Sequence, residues 1–284
     1  MRIDRAQAAL LAWYRPRRLA YAWRRGRRDP YRTLVSEVML QQTQAARVEP
    51  AFEAFVGRFP DVAALAAGSR ADVLRAWAGL GYNRRAVALH EAARAIVRDH
   101  GGRVPRDPDT LRMLPGIGPY TAAAVASIGH GLPVAATDTN VRRILARVVR
   151  GVDAADVPEA TLADDADRWL DRSAPAEWNQ ALMDLGRIVC RPAPRCTECP
   201  LARGCRFRRA GAPPGPPARR HPPFEGSARQ ARGAVVDALR GRRSLSVEEL
   251  AAQVGERVAG VLGGLERDGL IERTPRGRYR LAIR

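Results

Sequence analysis

Three groups of side chains in this 284-residue chain could do chemistry, and each sits in a stretch shaped for it. Asp138 stands in an apolar, small-residue setting past a Gly-Leu-Pro break, followed by Asn140 and the basic helix VRRILARVVR. A carboxylate there can be a reactive anion or simply the cap of the helix behind it. Upstream, Leu114-Pro115-Gly116-Ile117-Gly118 interrupts a helical pattern with two glycines two residues apart, so the backbone can turn tightly and stay bare. A glycine hairpin that opens a helix aims free N–H groups at an anion, and a phosphate fits. Glu37 lies beside the apolar stripe Leu34, Val35, Val38 and Met39 in LVSEVMLQQTQ; by itself it reads as a solvated helix glutamate. The third group is Cys190-x5-Cys196-x2-Cys199-x5-Cys205, with no cysteine elsewhere. Clustered thiols of this kind hold a metal centre more often than disulfides. Soft thiolates select zinc or an iron–sulfur cluster. Structural zinc sites with four cysteines usually present two Cys-x2-Cys pairs, whereas one short pair between two longer arms suits the separated corners of a [4Fe–4S] cube.

The elements that must position these groups are helical. Periodicity and breaks predict helices at 1–15, 31–45, 48–57, 61–67, 70–78, 86–100, 109–114, 120–128, 158–171 and 178–189. Gly79, Gly81 and Tyr82 form a flexible corner with an exposed aromatic, which packs locally in most proteins but beside DNA can wedge into the base stack. Residues 208–223 turn to Pro, Gly and Arg and cannot form a packed core. Beyond them, Ala231, Ala234, Val235 and Ala238 stripe one helix, and Ser246 with Glu249 forms a capping-box pair ahead of a second. Val258, Val261, Leu262 and Leu265 line a third, and Leu270-Ile271 with Tyr279–Ile283 reads as a hairpin turning at Pro275–Gly277. Three helices and a hairpin suggest a winged-helix module, either a nucleic-acid binder or a packing module. The expected domains are therefore a core at 1–210, a linker at 211–223 and a winged-helix-like domain at 224–284.

The formal net charge of +18 favours a polyanionic partner, and nucleic acid suits it better than membrane because no segment pairs a basic face with bulky interfacial aromatics. All 48 basic residues are arginine; lysine is absent. No stretch has the apolar length to cross a bilayer, and the first 20 residues are too interrupted by charge for a secretory signal, so cytoplasmic residence (nucleoid-associated in a bacterium) is the expectation.

With hairpin, Asp138 and cysteines in this order, residues 1 to about 210 resemble the MutY-type adenine DNA glycosylases of the helix-hairpin-helix, endonuclease III-like superfamily. The most specific match is Ser36-Glu37-Val38-Met39-Leu40-Gln41-Gln42-Thr43-Gln44; Gly79 to Tyr82, Asp138-x-Asn140-Val141 and Asn179 to Gly186 support it. The resemblance implies an all-α glycosylase core with an iron–sulfur loop, beside the small α+β C-terminal domain. It implies a six-helix barrel at about 30–133 and a cluster domain from 1–29 and 134–210. Glu37 would be the acid that protonates adenine at N7, Asp138 would stabilise or trap the oxocarbenium-like sugar, Asn140 would position both, and Tyr120 would supply a hydrogen bond near Asp138. Trp23, Arg24, Leu40, Ala45 and Gln180 would line the base pocket. Gln42, Thr43 and Tyr82 would face the opposite base, while Gly116, Ile117 and Gly118 would hold a phosphate, with a monovalent cation beneath. Cys190, Cys196, Cys199 and Cys205 would carry a [4Fe–4S] cluster, with Arg191, Arg195, Arg203 and Arg206 around it.

Four departures stand out, one of them Asn83 after Tyr82, where the commoner pattern has a second tyrosine. The first cysteine gap is five residues where the family usually has six. Leu19-Ala20-Tyr21-Ala22-Trp23 replaces a Leu-Pro-Trp pocket entry. The C-terminal region does not resemble the Nudix-like domain that reads oxidised guanine in many members. The expected activity is excision of adenine opposite 8-oxoguanine or guanine in duplex DNA, by a monomer. Without a side-chain amine for a Schiff base, it should lack a strand-nicking lyase step. The rival activity is a mismatch thymine or uracil glycosylase of the same superfamily, and the rival class is a non-catalytic DNA-binding protein.

Overall fold

The computed structural model describes residues 2–211 and 223–283. The helices are α1 (Ile3–Tyr14), α2 (Pro30–Leu40), α3 (Ala45–Arg58), α4 (Val62–Ala67), α5 (Arg70–Ala76), α6 (Arg84–His100), α7 (Pro108–Arg112), α8 (Pro119–Ala124), α9 (Thr139–Leu145), α10 (Glu159–Trp169), α11 (Pro175–Ile188), α12 (Arg206–Arg209), α13 (Ala228–Arg240), α14 (Val247–Val254) and α15 (Val258–Arg267). Strands β1 (Ile271–Arg273) and β2 (Tyr279–Leu281) pair antiparallel, Ile271 opposite Leu281. No described helix is long and apolar enough to cross a membrane. The chain is mostly helical with one small hairpin, the class expected from its periodicity.

The chain divides into two compact units. One comprises Met1–Glu37, Arg106–Met113 and Ile117–Ala218; the other comprises Val38–Pro105, Leu114–Gly116 and Arg219–Arg284. Packing thus groups the C-terminal module with 38–105, whereas composition separates it at 211–223, a stretch of which 212–222 lie outside the described residues. In the first unit, α1, α9, α10 and α11 bury Leu10, Tyr14, Ile144, Leu145, Trp178, Leu182 and Leu185, and the cysteine loop joins this core through Leu201 and Phe207. In the second, α4 packs on α6, and Trp77 meets Phe55 edge-on at 5.8 Å.

The C-terminal module closes on Val235, Leu239, Leu250, Leu262 and Leu265. Its Ser246 and Glu249 form the reciprocal capping box expected from their spacing. The buried stripe of α13 is Ala231, Val235, Val236 and Leu239, with Ala234 and Ala238 half-buried at its flanks.

Helix α2 ends at Leu40, five residues short of the sequence expectation. Gln42 takes a left-handed φ of +56°, so Ala45 opens α3 instead. The terminus is held by Arg85, whose Nη1 donates to the carbonyls of Val38 (2.9 Å), Met39 (2.7 Å) and Gln41 (2.5 Å). A guanidinium there satisfies last-turn carbonyls that have no helical partner and complements the helix dipole.

Candidate active site

Glu37, Tyr120 and Asp138 all belong to the first unit. Helix α2 is buried around its whole circumference from Thr33 to Met39, because its neighbours cover every face, and this carries Glu37 inside at 6% exposure. The reading of Glu37 alone as a solvated residue fails on this point. Burial pushes its carboxyl from 4.5 up to about 7; the Tyr120 hydrogen bond opposes the shift, the charge of Asp138 adds to it and Arg24 opposes it weakly. The Tyr120 hydroxyl donates to Glu37 Oε2 at 2.8 Å. Sequence reasoning set this hydroxyl near Asp138; its bond goes to Glu37, while burial first, and then the charges of Glu37 and Asp138, raise its own pKa well above the usual phenol value.

Asp138 caps α9. Its Oδ1 accepts from the Val141 N–H at 2.7 Å and its Oδ2 from Asn140 Nδ2 at 2.9 Å. Burial raises its pKa, while the bonds from Val141 and Asn140 pull it back. The capping and reactive readings of Asp138 are thus compatible, since the cap fixes the orientation of the carboxylate. Asn140 is itself held by Arg143, whose Nη2 donates to Asn140 Oδ1 and to the Gly186 carbonyl, both at 2.8 Å. A Cβ on Gly186 would fall 2.5 Å from Asn140 Cβ, so α11 can approach α9 here only with glycine. Asn179 fixes the loop before Asp138. Its Nδ2 donates to Ser127 Oγ (2.6 Å), Val134 O (2.9 Å) and Pro175 O (3.0 Å), and its Oδ1 accepts from Ala136 N at 2.9 Å.

Of the residues expected at the base pocket, Trp23, Arg24 and Gln180 belong to this unit. Trp23 stacks on Tyr21 at 4.5 Å. Arg24 makes a bidentate pair with Asp184 (2.7 and 3.0 Å), both nearly buried. Gln180 accepts from the Tyr14 hydroxyl at 2.8 Å. Leu40 and Ala45 belong to the second unit and are half-buried.

The second unit holds Gln42, Thr43 and Tyr82. Tyr82 is 49% exposed and adopts φ +45°, between Gly79 at +78° and Gly81 at +68° on one side and α6 on the other. Arg85 ties the group together. Its Nη2 donates to Thr43 Oγ1 (2.9 Å), Gly81 O (3.2 Å) and Leu80 O (3.3 Å), and its guanidinium lies over the rings of Trp77 and Tyr82. Sequence reasoning missed Arg85, the second arginine of the Arg84-Arg85 pair that follows the corner, and nothing in the sequence sets it apart from Arg84. In the hairpin, Gly116 has φ +74° and a Cβ there would meet Ala88 Cβ at 2.6 Å, whereas Ile117 is buried and Gly118 precedes α8 with a bare N-terminus.

All four cysteines line one cavity, together with Ile144, Val148, Leu185 and Phe207. Among the described residues, no three His, Cys, Asp or Glu side chains converge as a single metal ion requires. Four thiols around a shared space could together hold a metal centre. Burial pushes Cys199 up to about 12, helped by its three neighbouring cysteines, so a positive centre is what would stabilise the thiolates. The loop is pinned by arginines of the α9 segment. Arg143 Nε donates to Cys190 O at 2.8 Å, and buried Arg147 donates to Arg191 O at 2.6 Å and Pro192 O at 3.1 Å. The arginines expected around the loop were those within it; the two that grip it come from α9 and the turn after it.

A helix-hairpin-helix with an inward acid and a capped aspartate defines a class, and comparison with known proteins agrees. Residues 35–165 match the HhH-GPD superfamily of base excision DNA repair proteins. The chain is 46% identical to the adenine DNA glycosylase of Mycolicibacterium smegmatis, over 96% of this chain and 94% of that one. It is 44% identical to that of Mycobacterium tuberculosis (96% and 92%) and 40% identical to that of Homo sapiens (71% and 39%). A solved thermostable thymine-DNA glycosylase superposes with a TM-score of 0.67 at 28% identity, covering 72% of this chain and 98% of the other. An endonuclease III–DNA complex superposes at 0.61 and 21% identity, over 75% of this chain and 99% of the other, a likeness of fold. The chain belongs to the adenine DNA glycosylase family of the HhH-GPD superfamily.

Proposed function

We propose that this chain is a base-excision-repair glycosylase that removes adenine mispaired with 8-oxoguanine or guanine and leaves the strand uncut. The observation that carries this reading is Glu37, an inward carboxyl that holds its proton to about pH 7 beside a second carboxylate tethered by two N–H donors. Two carboxylates in unlike environments divide acid and anion roles. Glu37 passes its proton to N7 of an adenine extruded from the duplex. The C1′–N9 bond breaks with its electron pair leaving on the base, and Asp138, oriented by Asn140, offsets the positive charge at C1′. Trp23, Arg24 and Gln180 are the pocket residues proposed on the first unit. Gln42, Thr43 and Tyr82 are proposed to face the orphaned base, and the backbone of Gly116 to Gly118 to hold a phosphate with a monovalent cation.

Cys190, Cys196, Cys199 and Cys205 would hold a [4Fe–4S] cluster, which would order the basic loop against DNA and take no part in base loss. The absence of lysine supports excision without a lyase step. A core at 1–210 and a winged-helix-like module at 224–284 remain the proposed domains.

Single-turnover excision on A:8-oxoG, A:G, T:G and U:G duplexes, with and without alkali, tests the reading. Cleavage of the adenine strand only after alkali is the expected result. Excision of thymine instead would favour the activity named for the 28% identical structural relative, and strand cleavage without alkali would refute the monofunctional reading.

A further inference from the structure

The C-terminal module has the outline of a winged helix but not the equipment of a sequence reader. The exposed positions of α15, its third helix, are Ala259, Gly260 and Gly263, which offer no side-chain donors or acceptors to a base edge, and a single arginine at its last position, Arg267. What the module does carry is a contact with α5 and with the corner that presents Tyr82. α13 and β2 pack on α5, and the Arg70 N–H donates to the Ile283 carbonyl at 3.2 Å. Arg240, the last residue of α13, donates from Nε to Leu74 O at 3.0 Å and from Nη2 to Asn83 Oδ1 at 2.9 Å, and its Nη1 pairs with Asp237. Arg75 returns a bond to the Arg240 carbonyl at 3.3 Å.

Asn83 is the N-cap of α6, yet its side chain makes no cap bond. An asparagine at that position ordinarily bonds the first-turn N–H groups; here its carboxamide oxygen is given to Arg240, and the residue is buried. It directly follows Tyr82, which adopts a left-handed φ that a bulky side chain rarely takes and that persists only where its surroundings hold it. Arg85 holds the corner from one side through Leu80, Gly81 and Thr43. Arg240 holds it from the other, and the side chain it holds is the one next to Tyr82.

We propose that Arg240 is a positioning residue: through Asn83, the C-terminal module sets the Gly79–Asn83 corner and thereby the discrimination of the base opposite adenine. The functional half rests on the reading that Tyr82 faces that base. This gives the module a part in lesion selectivity without any contact between it and DNA.

Full-length R240A, N83A, the double variant and Y82A test this with two readouts. The first is amide hydrogen exchange of the DNA-free protein over residues 79–86, which reports the corner alone. Exchange there should rise roughly three- to tenfold in R240A and in N83A, and the double variant should go no further, since both remove one link. Unchanged exchange in both would overturn the buttress whatever DNA does. The second is the ratio of single-turnover excision rates on A:8-oxoG and A:G, at a temperature where melting curves show each variant folded. The ratio should fall several-fold in R240A and N83A, in the direction Y82A moves it. A ratio that falls in Y82A but not in R240A or N83A would overturn the link to selectivity. A ratio that Y82A leaves unchanged would overturn the placement of Tyr82 at the orphaned base, with the exchange readout still deciding the buttress.

Discussion

Replacing Tyr120 by phenylalanine should make this enzyme active at higher pH, the opposite of what loss of an active-site hydroxyl commonly does. As the proposed acid, Glu37 would have to be protonated, and a pKa raised to about 7 would put the falling limb of the rate–pH profile there. The Tyr120 hydroxyl stabilises the ionised form of Glu37 and so holds that pKa down. A hydrogen bond to a charged group is worth about 1.5–3 kcal/mol, so removing it while keeping the ring in place should move the limb up by about one pH unit or more. The assay is single-turnover excision at saturating enzyme from pH 5 to 9, with binding to an uncleavable duplex measured alongside by anisotropy. A limb that stays in place or moves down in Y120F, with binding unaltered, would refute the assignment of Glu37 as the titrating acid.

The same burial has a signature in stability. The folded state holds the Glu37 proton more tightly than the unfolded chain, so its contribution falls as pH rises from about 4.5 to about 7 and the penalty is complete above that. The full penalty is about 3 kcal/mol. Glu37→Gln, inactive by the same argument, should therefore gain thermal stability over the wild type at pH 8 relative to pH 5. An equal difference at the two pH values would mean that Glu37 titrates normally.

Four further perturbations address the supports of the site. Gly186→Ala drives a methyl into Asn140 and should cost about 1–3 kcal/mol of stability and slow excision more than it weakens DNA binding, as rates and anisotropy will show. Asn179→Ala leaves Ser127, Val134 and the Ala136 N–H without their partner and should lower stability by roughly 2–4 kcal/mol in denaturant melts. Arg85→Lys offers an ammonium to carbonyls that a planar fork now gathers, and affinity for a mismatched duplex should drop roughly tenfold while excision at saturation changes less. Cys199→Ser should reduce bound iron and sulfide in the purified protein and weaken DNA binding, with single-turnover excision at saturation largely retained.

What was legible in the sequence is what local backbone constraint dictates. Gly116 needs a positive φ, Asp138 begins a helix and the cysteine spacing excludes a two-knuckle zinc site, so hairpin, aspartate and cluster loop can be read without a partner element. Glu37 could not be read that way, since its chemistry depends on neighbours that enclose α2 on every side. The arginines were harder still. Among 48 of them, Arg85, Arg143 and Arg147 look like any solvated cation, and only tertiary packing shows that each is turned inward onto carbonyls or an asparagine; Arg24, singled out by resemblance alone, proves to be paired with a carboxylate. Arg24 shows why this matters for the chemistry. A bare guanidinium beside Glu37 would pull its proton off and end its use as an acid at neutral pH. Asp184 takes both Nη groups of Arg24, and Arg24 is the smallest of the influences on the Glu37 carboxyl. If Glu37 is the acid, as proposed, an arginine neutralised by Asp184 is one that can stand near it without stripping its proton.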